Sequence, residues 1–255
     1  MSPASPTIEA LPAFSDNYIW RFVASDGVWL VDPGDPQVVR QHLGQDKPLA
    51  GILITHHHPD HIGGLSALPT GSSVSVIAPR DPRIGHATRR VGEGDRVQCG
   101  EWLFEVWEVP GHTRSHIAFL AGDTLFCGDT LFSLGCGRLF EGSPTQMLAS
   151  LSRIAALPDA TRAFATHEYT LANGRFAETV EPGNADLAAL LDRVRALRER
   201  GEPSVPTTIA VEKRCNPFLR CHLPTVKRAV ERRLATRLQS ELEVFTALRQ
   251  WKDVF

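Results

Sequence analysis

Hydrophobic positions take two textures along this chain of 255 residues. Before residue 174 they come as short apolar runs broken by Gly, Pro and Asp, the pattern of strands bounded by turns. Residues 17–24, 28–31, 50–54, 74–78, 97–99, 102–109, 117–121 and 162–165 read this way. Gly27, Gly100-Glu101 and Gly122-Asp123 mark turns between neighbouring runs, the last as a two-residue hairpin. Asp32-Pro33-Gly34-Asp35 ends a strand and starts a short helix, and residues 65–68 suggest another. Helix 144–156 opens with Ser143 as cap and Pro144 at its first position. Beyond Asn184 the spacing turns helical. Leu187, Leu190, Leu191, Val194 and Leu197 lie between a capping Asn184 and a terminating Gly201. Pro203 and Pro206 interrupt, and helical spacing returns at 225–237 and 241–251. The pattern predicts a mixed α/β domain over 1–174 and a mainly helical domain over 175–255.

Composition narrows the class. A hydrophobic share of 42% and a charged share of 22% are ordinary for a globular protein with a sizeable core. No apolar run approaches the ~20 residues of a membrane span, and residues 1–6 carry no basic-then-apolar leader, so neither a membrane nor a secretory role is expected. Five Cys without a CxxC pair argue against a disulfide framework and for a reducing compartment, the cytoplasm. The net charge of −2 hides an asymmetry: residues 193–255 hold 14 Lys+Arg against 7 Asp+Glu, while residues 1–192 hold 13 against 22. That balance suits an anionic small molecule held beside a cation site, and it equally suits solvated faces of Arg-rich helices. No basic run interleaved with aromatics points to nucleic acid.

The candidate chemistry sits at strand ends. In Thr55-His56-His57-His58-Pro59-Asp60-His61, imidazoles and a carboxylate crowd the end of an apolar strand, where they are poor core material and good metal ligands. His56, His58 and Asp60 are two apart, so an extended chain aims them one way, and Pro59 keeps the segment extended. His61 joins them if the chain turns there, whereas His57 is out of phase. His112 follows a strand at the same edge and reads as a further ligand; His116 enters the next strand and reads as a buried structural histidine. Gly-Asp-Thr-Leu-Phe occurs at 122–126 and again at 128–132. Asp123 falls in the hairpin turn and Asp129 at the opposite end, which makes Asp129 the expected carboxylate bridge between two cations. His167 ends a further strand. Asp32 fits either a partner to a ligand histidine or, more commonly, a turn-forming aspartate. His86 reads as structural.

Thr-His-x-His-x-Asp-His at 55–61, Gly-His-Thr at 111–113, Gly-Asp-Thr at 128–130 and His167 resemble the ligand set of the metallo-β-lactamase fold. The 135–142 loop, His167-Glu168-Tyr169-Thr170, Asn216-Pro217-Phe218-Leu219-Arg220 and the ending Arg249-x-x-Lys252-Asp253 resemble the hydroxyacylglutathione hydrolases (glyoxalase II). The resemblance spans nearly the whole chain and implies an αββα sandwich followed by a C-terminal, mainly helical domain. It implies two divalent cations, one held by His56, His58 and His112, the other by Asp60, His61 and His167, with Asp129 between them. Such ligands suit zinc, and the oxygen-containing second site also accepts iron or manganese. The implied activity is hydrolysis of S-(2-hydroxyacyl)glutathione, typically S-D-lactoylglutathione, to glutathione and D-lactate, the second step of methylglyoxal detoxification. The implied nucleophile is a metal-bridging hydroxide, with Asp60 helping to orient it. A thiol of pKa ~8.5 leaves readily as thiolate, so the absence of an evident general acid fits a thioester. Arg249 and Lys252 are implied to hold the glycine carboxylate of glutathione, with Tyr169 and the loop bearing Arg138 and Phe140 lining the site. Some relatives carry Lys and Tyr at those last two positions, so Phe140 lacks a hydroxyl donor, and Ser115 replaces a frequent Gly. The small-molecule thioester is the expected partner of a monomer. Rival readings are another thioesterase or a persulfide dioxygenase on the same fold, and a non-catalytic metal-binding protein.

Overall fold

The computed structural model describes residues 7–43, 48–69 and 72–255. The chain divides into two compact units, one of Met1–Val109 with Ser115–Gly128, the other of Pro110–Arg114 with Asp129–Phe255.

The first unit begins with strands β1 (Ile8–Ala13), β2 (Asn17–Ala24) and β3 (Gly27–Val31), joined as antiparallel neighbours. Helix α1 (Pro36–His42) leads to β4 (Leu49–Leu53). The one-turn helix α2 (Pro59–Ile62) and a 3₁₀ turn, Gly63–Ala67, lead to β5 (Ser75–Pro79) and β6 (Arg89–Val91). Strands β3 to β6 are parallel, which completes a six-stranded mixed sheet in the order β1 to β6. Parallel strands are covered on both faces and read as unbroken apolar runs; every residue of β3 is buried. Strands β7 (Arg96–Cys99), β8 (Trp102–Glu108), β9 (Ile117–Ala121) and β10 (Thr124–Gly128) form an antiparallel meander. Along β8, Trp102, Phe104 and Val106 are buried while Leu103 and Glu105 are exposed, the alternation of a sheet with one wet face. Phe22 of β2 meets Phe104 and Phe126 at centroid distances of 5.7 and 5.9 Å, tying the meander to the mixed sheet. On the other face of the mixed sheet, Leu30, Ile52 and Val76 share a core with Val39 and Leu65.

The second unit holds the short hairpin β11 (Leu131–Phe132) and β12 (Gly135–Cys136), helix α3 (Pro144–Ala155), strand β13 (Arg162–Ala165) and helices α4 (Thr170–Val180) and α5 (Ala185–Glu199). Strand β14 (Thr207–Thr208) pairs antiparallel with β13 and leads into α6 (Ile209–Cys215), the 3₁₀ turn Pro217–Leu219, α7 (Pro224–Leu234) and α8 (Glu241–Asp253). Leu187, Leu190, Leu191 and Val194 bury the predicted stripe of α5 against Leu134, Ala177 and Cys215. Gly174 lets α4 approach α5 closely, since a Cβ there would strike Leu191.

Most expected elements are present, with α1 and α5 capped by Asp35 and Asn184. Strands β1, carrying Pro12 at the sheet edge, β6, β11, β12 and β14, and helices α4 and α6 are additional to those the sequence pattern predicts. Asn173 and Gly174 on the buried side of α4 interrupt its apolar stripe, and α6 spans only seven residues. Helix α7 stops short of residue 237 because Ala235 is left-handed, φ 52°. None of the five Cys forms a disulfide, and all are buried. Among the described residues no helix is long and apolar enough to cross a membrane.

Ser143 accepts from the Gln146 amide while the Gln146 side chain accepts from the Ser143 amide, a reciprocal cap on α3. Ser143→Ala should lower stability by about 1 kcal/mol, read as an earlier denaturant midpoint with an unchanged slope.

Candidate metal centre

In the first unit the parallel strands β3 and β4 end side by side. Asp32 leaves β3 in the left-handed region, φ 50°, which aspartate tolerates better than most side chains. Its two carboxylate oxygens accept from the Thr55 amide and hydroxyl, each at 2.7 Å. The same carboxylate lies 3.0 Å from His61 Nδ1. An acceptor there favours the tautomer with the proton on Nδ1 and leaves the Nε2 lone pair for a cation. Asp32 is thus a partner of His61 and not only a turn-forming aspartate.

The loop departs from the extended course expected for residues 56–60. His58 is extended, as a residue before proline should be, but Pro59 is the first residue of α2. The proline ring already has a helical φ, and its missing N–H costs nothing at that position. Asp60 and His61 therefore lie on a helical turn, and the turn brings His61 to the cluster. His56 Nε2 is 2.9 Å from His58 Nδ1 and His61 Nε2 is 3.6 Å from Asp60 Oδ2. Ligand atoms of His56 and His61 also approach within 4.8 Å. Asn17 donates to Asp60 Oδ2 at 3.1 Å. Gly34 is required beneath α2, since any Cβ there would collide with the Asp60 carbonyl. His57 turns to Asp81, Nδ1 to Oδ2 3.6 Å, in keeping with its out-of-phase position. Arg83, bound at 2.7 Å, holds the Asp81 carboxyl well below the usual range. His116 is fully buried and stacks on His56 at 4.7 Å.

The second unit gathers His112, Asp129 and His167. The Arg138 carbonyl lies 2.7 Å from His112 Nδ1 and can only accept, so Nδ1 carries the proton and the lone pair is on Nε2, where a cation could use it. His112 Nε2 and His167 Nε2 both lie 3.4 Å from Asp129 Oδ2. Two imidazole nitrogens thus lie beside one carboxylate oxygen. The His167 ring stacks on Tyr169, with centroids 4.7 Å apart and planes 5° from parallel.

The expected substrate residues are distributed unevenly. Phe140 is exposed and edge-on to His112 at 5.3 Å. Arg138 is exposed and donates to both the side chain and the carbonyl of Asp253, at 3.1 and 2.9 Å. Arg249 is buried, donates to the Cys136 carbonyl at 2.8 Å and pairs with Asp253 at 3.1 Å. Lys252 is half-buried with its ammonium 5.4 Å from the rings of Phe176 and Phe255, and burial lowers its pKa. Asn17 and Asp253 join this set of contacts without a site motif of their own in the sequence. Asp253 carried a signal, as the last residue of the Arg249-x-x-Lys252-Asp253 ending; Asn17 reads only as the start of a strand.

Nitrogen and oxygen donors without a thiolate fit a divalent cation of zinc-like or harder character. Residues 14–167 match the profile of the metallo-beta-lactamase superfamily, and residues 168–255 that of the hydroxyacylglutathione hydrolase C-terminus. The hydroxyacylglutathione hydrolase of Cupriavidus metallidurans is 50% identical, covering 97% of this chain and 98% of its own length. That of Pseudomonas fluorescens is 46% identical over 97% and 99%. Among solved structures, ETHE1 from Myxococcus xanthus matches with a TM-score of 0.67 at 27% identity, covering 96% of this chain and 90% of its own. TTHA1623 in a di-iron-bound form matches with 0.59 at 25% over 84% and 100%. Fold and donor set are those of a metal-dependent hydrolase of the metallo-β-lactamase superfamily, as the sequence motifs implied. Within it, the chain belongs to the hydroxyacylglutathione hydrolase (glyoxalase II) family.

Asp32→Asn should keep the left-handed backbone and the bond from the Thr55 amide while turning an amide donor toward His61 Nδ1. That reverses the tautomer and removes the Nε2 lone pair. Metal affinity, measured by chelator competition, should fall roughly 10–100-fold with the fold retained.

Proposed function

We propose that this protein hydrolyses the thioester of S-(2-hydroxyacyl)glutathione, typically S-D-lactoylglutathione, releasing glutathione and a 2-hydroxy acid such as D-lactate, the second step of methylglyoxal detoxification. The observation that carries this is the match of residues 168–255 to the hydroxyacylglutathione hydrolase C-terminus. A metal-binding fold alone hosts many chemistries, and the substrate-facing part separates them.

His56, His58 and His112 are the proposed ligands of one cation, Asp60, His61 and His167 those of a second, and Asp129 serves both. Zinc fits the imidazole-rich set best. Iron and manganese are the alternatives, and the di-iron form of TTHA1623 supports iron as one of them. When bound, two such cations supply a water acidic enough to attack near neutral pH and positive charge for the carbonyl oxygen. The protein's own part is orientation. Asp60, anchored by Asn17, aligns the attacking water against the thioester carbonyl. No side chain need protonate the leaving sulfur, because a thiolate of pKa ~8.5 departs unaided.

Residues 175–255 form the proposed substrate-binding helical domain after a metal-binding domain over 1–174. Arg249 and Lys252 hold the glycine carboxylate, Tyr169 and Arg138 flank the peptide, and Phe140 offers an apolar edge where a hydroxyl donor is absent. An incoming carboxylate offsets the desolvation that lowers the Lys252 pKa. We place the enzyme in the cytoplasm, in line with five buried Cys that form no disulfide, and take it to be a monomer.

Steady-state assay of the metal-loaded protein on S-D-lactoylglutathione tests this directly, with oxygen uptake on glutathione persulfide as the rival readout. No thioester cleavage, or oxygen uptake instead, would sink it. Lys252→Ala should raise KM roughly tenfold or more with kcat kept, the loss of a charge-assisted contact. Asp129→Asn should lower metal content and kcat together.

A further inference from the structure

Glu212 on α6 is fully buried. Its Oε1 accepts from the Thr207 hydroxyl at 2.6 Å, and its Oε2 accepts from the Leu134 amide at 2.9 Å and from Asn216 Nδ2 at 2.8 Å. The Ser133 hydroxyl adds a further bond. None of these partners is a cation, and burial pushes the carboxyl up to about 7. A carboxyl in such a place is costly and persists where its bonds hold something that apolar packing could not.

What they hold is the tip of a hairpin. Leu134 sits at φ 61°, a left-handed conformation that a leucine adopts only when its surroundings impose it. Asn216, itself gripped by Glu212, donates to the carbonyls of Gly135 and Phe132 at 2.9 and 3.3 Å. Asn173 takes the Ser133 carbonyl at 3.0 Å. The hairpin is closed at its base by the Gly137 amide bonding the Thr130 carbonyl at 3.2 Å. Immediately before that base is Asp129. Immediately after it is Arg138, whose carbonyl fixes the His112 tautomer. Gly137 fits so tightly between them that a Cβ would strike the Asp129 carbonyl.

We infer that Glu212, acting with Asn216, is a positioning residue that locks the 130–137 hairpin in the register at which Asp129 and His112 present their ligand atoms. It touches neither substrate nor cation; it acts through Leu134 and Asn216. What matters is a hydrogen-bond acceptor at Oε2, so glutamine should replace it and an apolar isostere should not. The inference rests on the proposed role of Asp129 and His112 as ligands, but not on the identity of the substrate.

The test is chelator competition on the zinc-loaded full chain, alongside thermal melting and the thioester assay. Glu212→Leu should weaken zinc binding roughly tenfold or more, the effect expected when the support of a ligand is lost. Glu212→Gln should bind within twofold of the parent, and Thr207→Val, which touches only Oε1, should do the same. A merely structural role would lower the melting temperature of the leucine variant and leave zinc affinity alone, and that result overturns the inference. Failure of glutamine to rescue also overturns it. If Glu212→Leu does not fold, Asn216→Ser decides: it keeps a cap for the Pro217–Leu219 turn but loses both hairpin carbonyls, and parental affinity in it refutes the lock. Should the parent cleave no glutathione thioester, the proposed function fails while the zinc measurement still judges Glu212.

Discussion

Two parallel strands end together at Asp32 and Thr55, and one carboxylate there collects the amide and hydroxyl of Thr55 and the ring of His61. The order of events along the chain follows from that knot. It fixes where β4 releases the backbone, so that His56 and His58 leave in extended form before Pro59 can open a helical turn. It also fixes the protonation of the His61 ring. The carboxylate is buried at 1% exposure, so its oxygens depend on these donors in place of water.

The second unit solves the same problem with different parts. A backbone carbonyl, that of Arg138, does for His112 what a carboxylate does for His61, and the hairpin between Asp129 and Arg138 sets both groups at once. Its strands are two residues long apiece, too short to hold themselves. The burden falls on side chains reaching in from α4 and α6 and from the turn after it: Asn173, Glu212 and Asn216. The basic ending of the chain is drawn into the same region. Arg249 reaches the Cys136 carbonyl of that hairpin, and Asp253 links Arg249 to Arg138. The positive surplus counted in the sequence is therefore partly spent on internal bonds, while Lys252 lies half-buried beside two aromatic rings.

Charge counting from sequence is compatible with a bound anion or with solvated helix faces, and the arginines divide between interior bonds and exposed pairs. Arg249 is an interior residue, whereas Arg195 and Arg200 pair with acidic neighbours along exposed surface. Family membership, set by the profile over residues 168–255 and by relatives near 50% identity, selects the chemistry that the metal motifs alone leave broad.

Sequence by itself determined the strands and the long amphipathic helices. It also determined the dense histidine motif, because residue types with a 2.0 or 3.6 period, or with metal-ligand chemistry, carry their meaning locally. It identified His57 as the odd member of its run, and the structure turns that ring to Asp81. Only the tertiary structure decided the rest. Pro59 could extend the chain or begin a helix, and the choice depended on Gly34 and Asn17 waiting across the sheet end. The roles of Asp32, Glu212 and Asp253 lie in bonds to residues 23, 78 and 115 positions away. Helix α4 hid because its buried face carries an asparagine and a glycine. A side chain whose partner is that distant has no local signature, and its meaning exists only once the chain has closed.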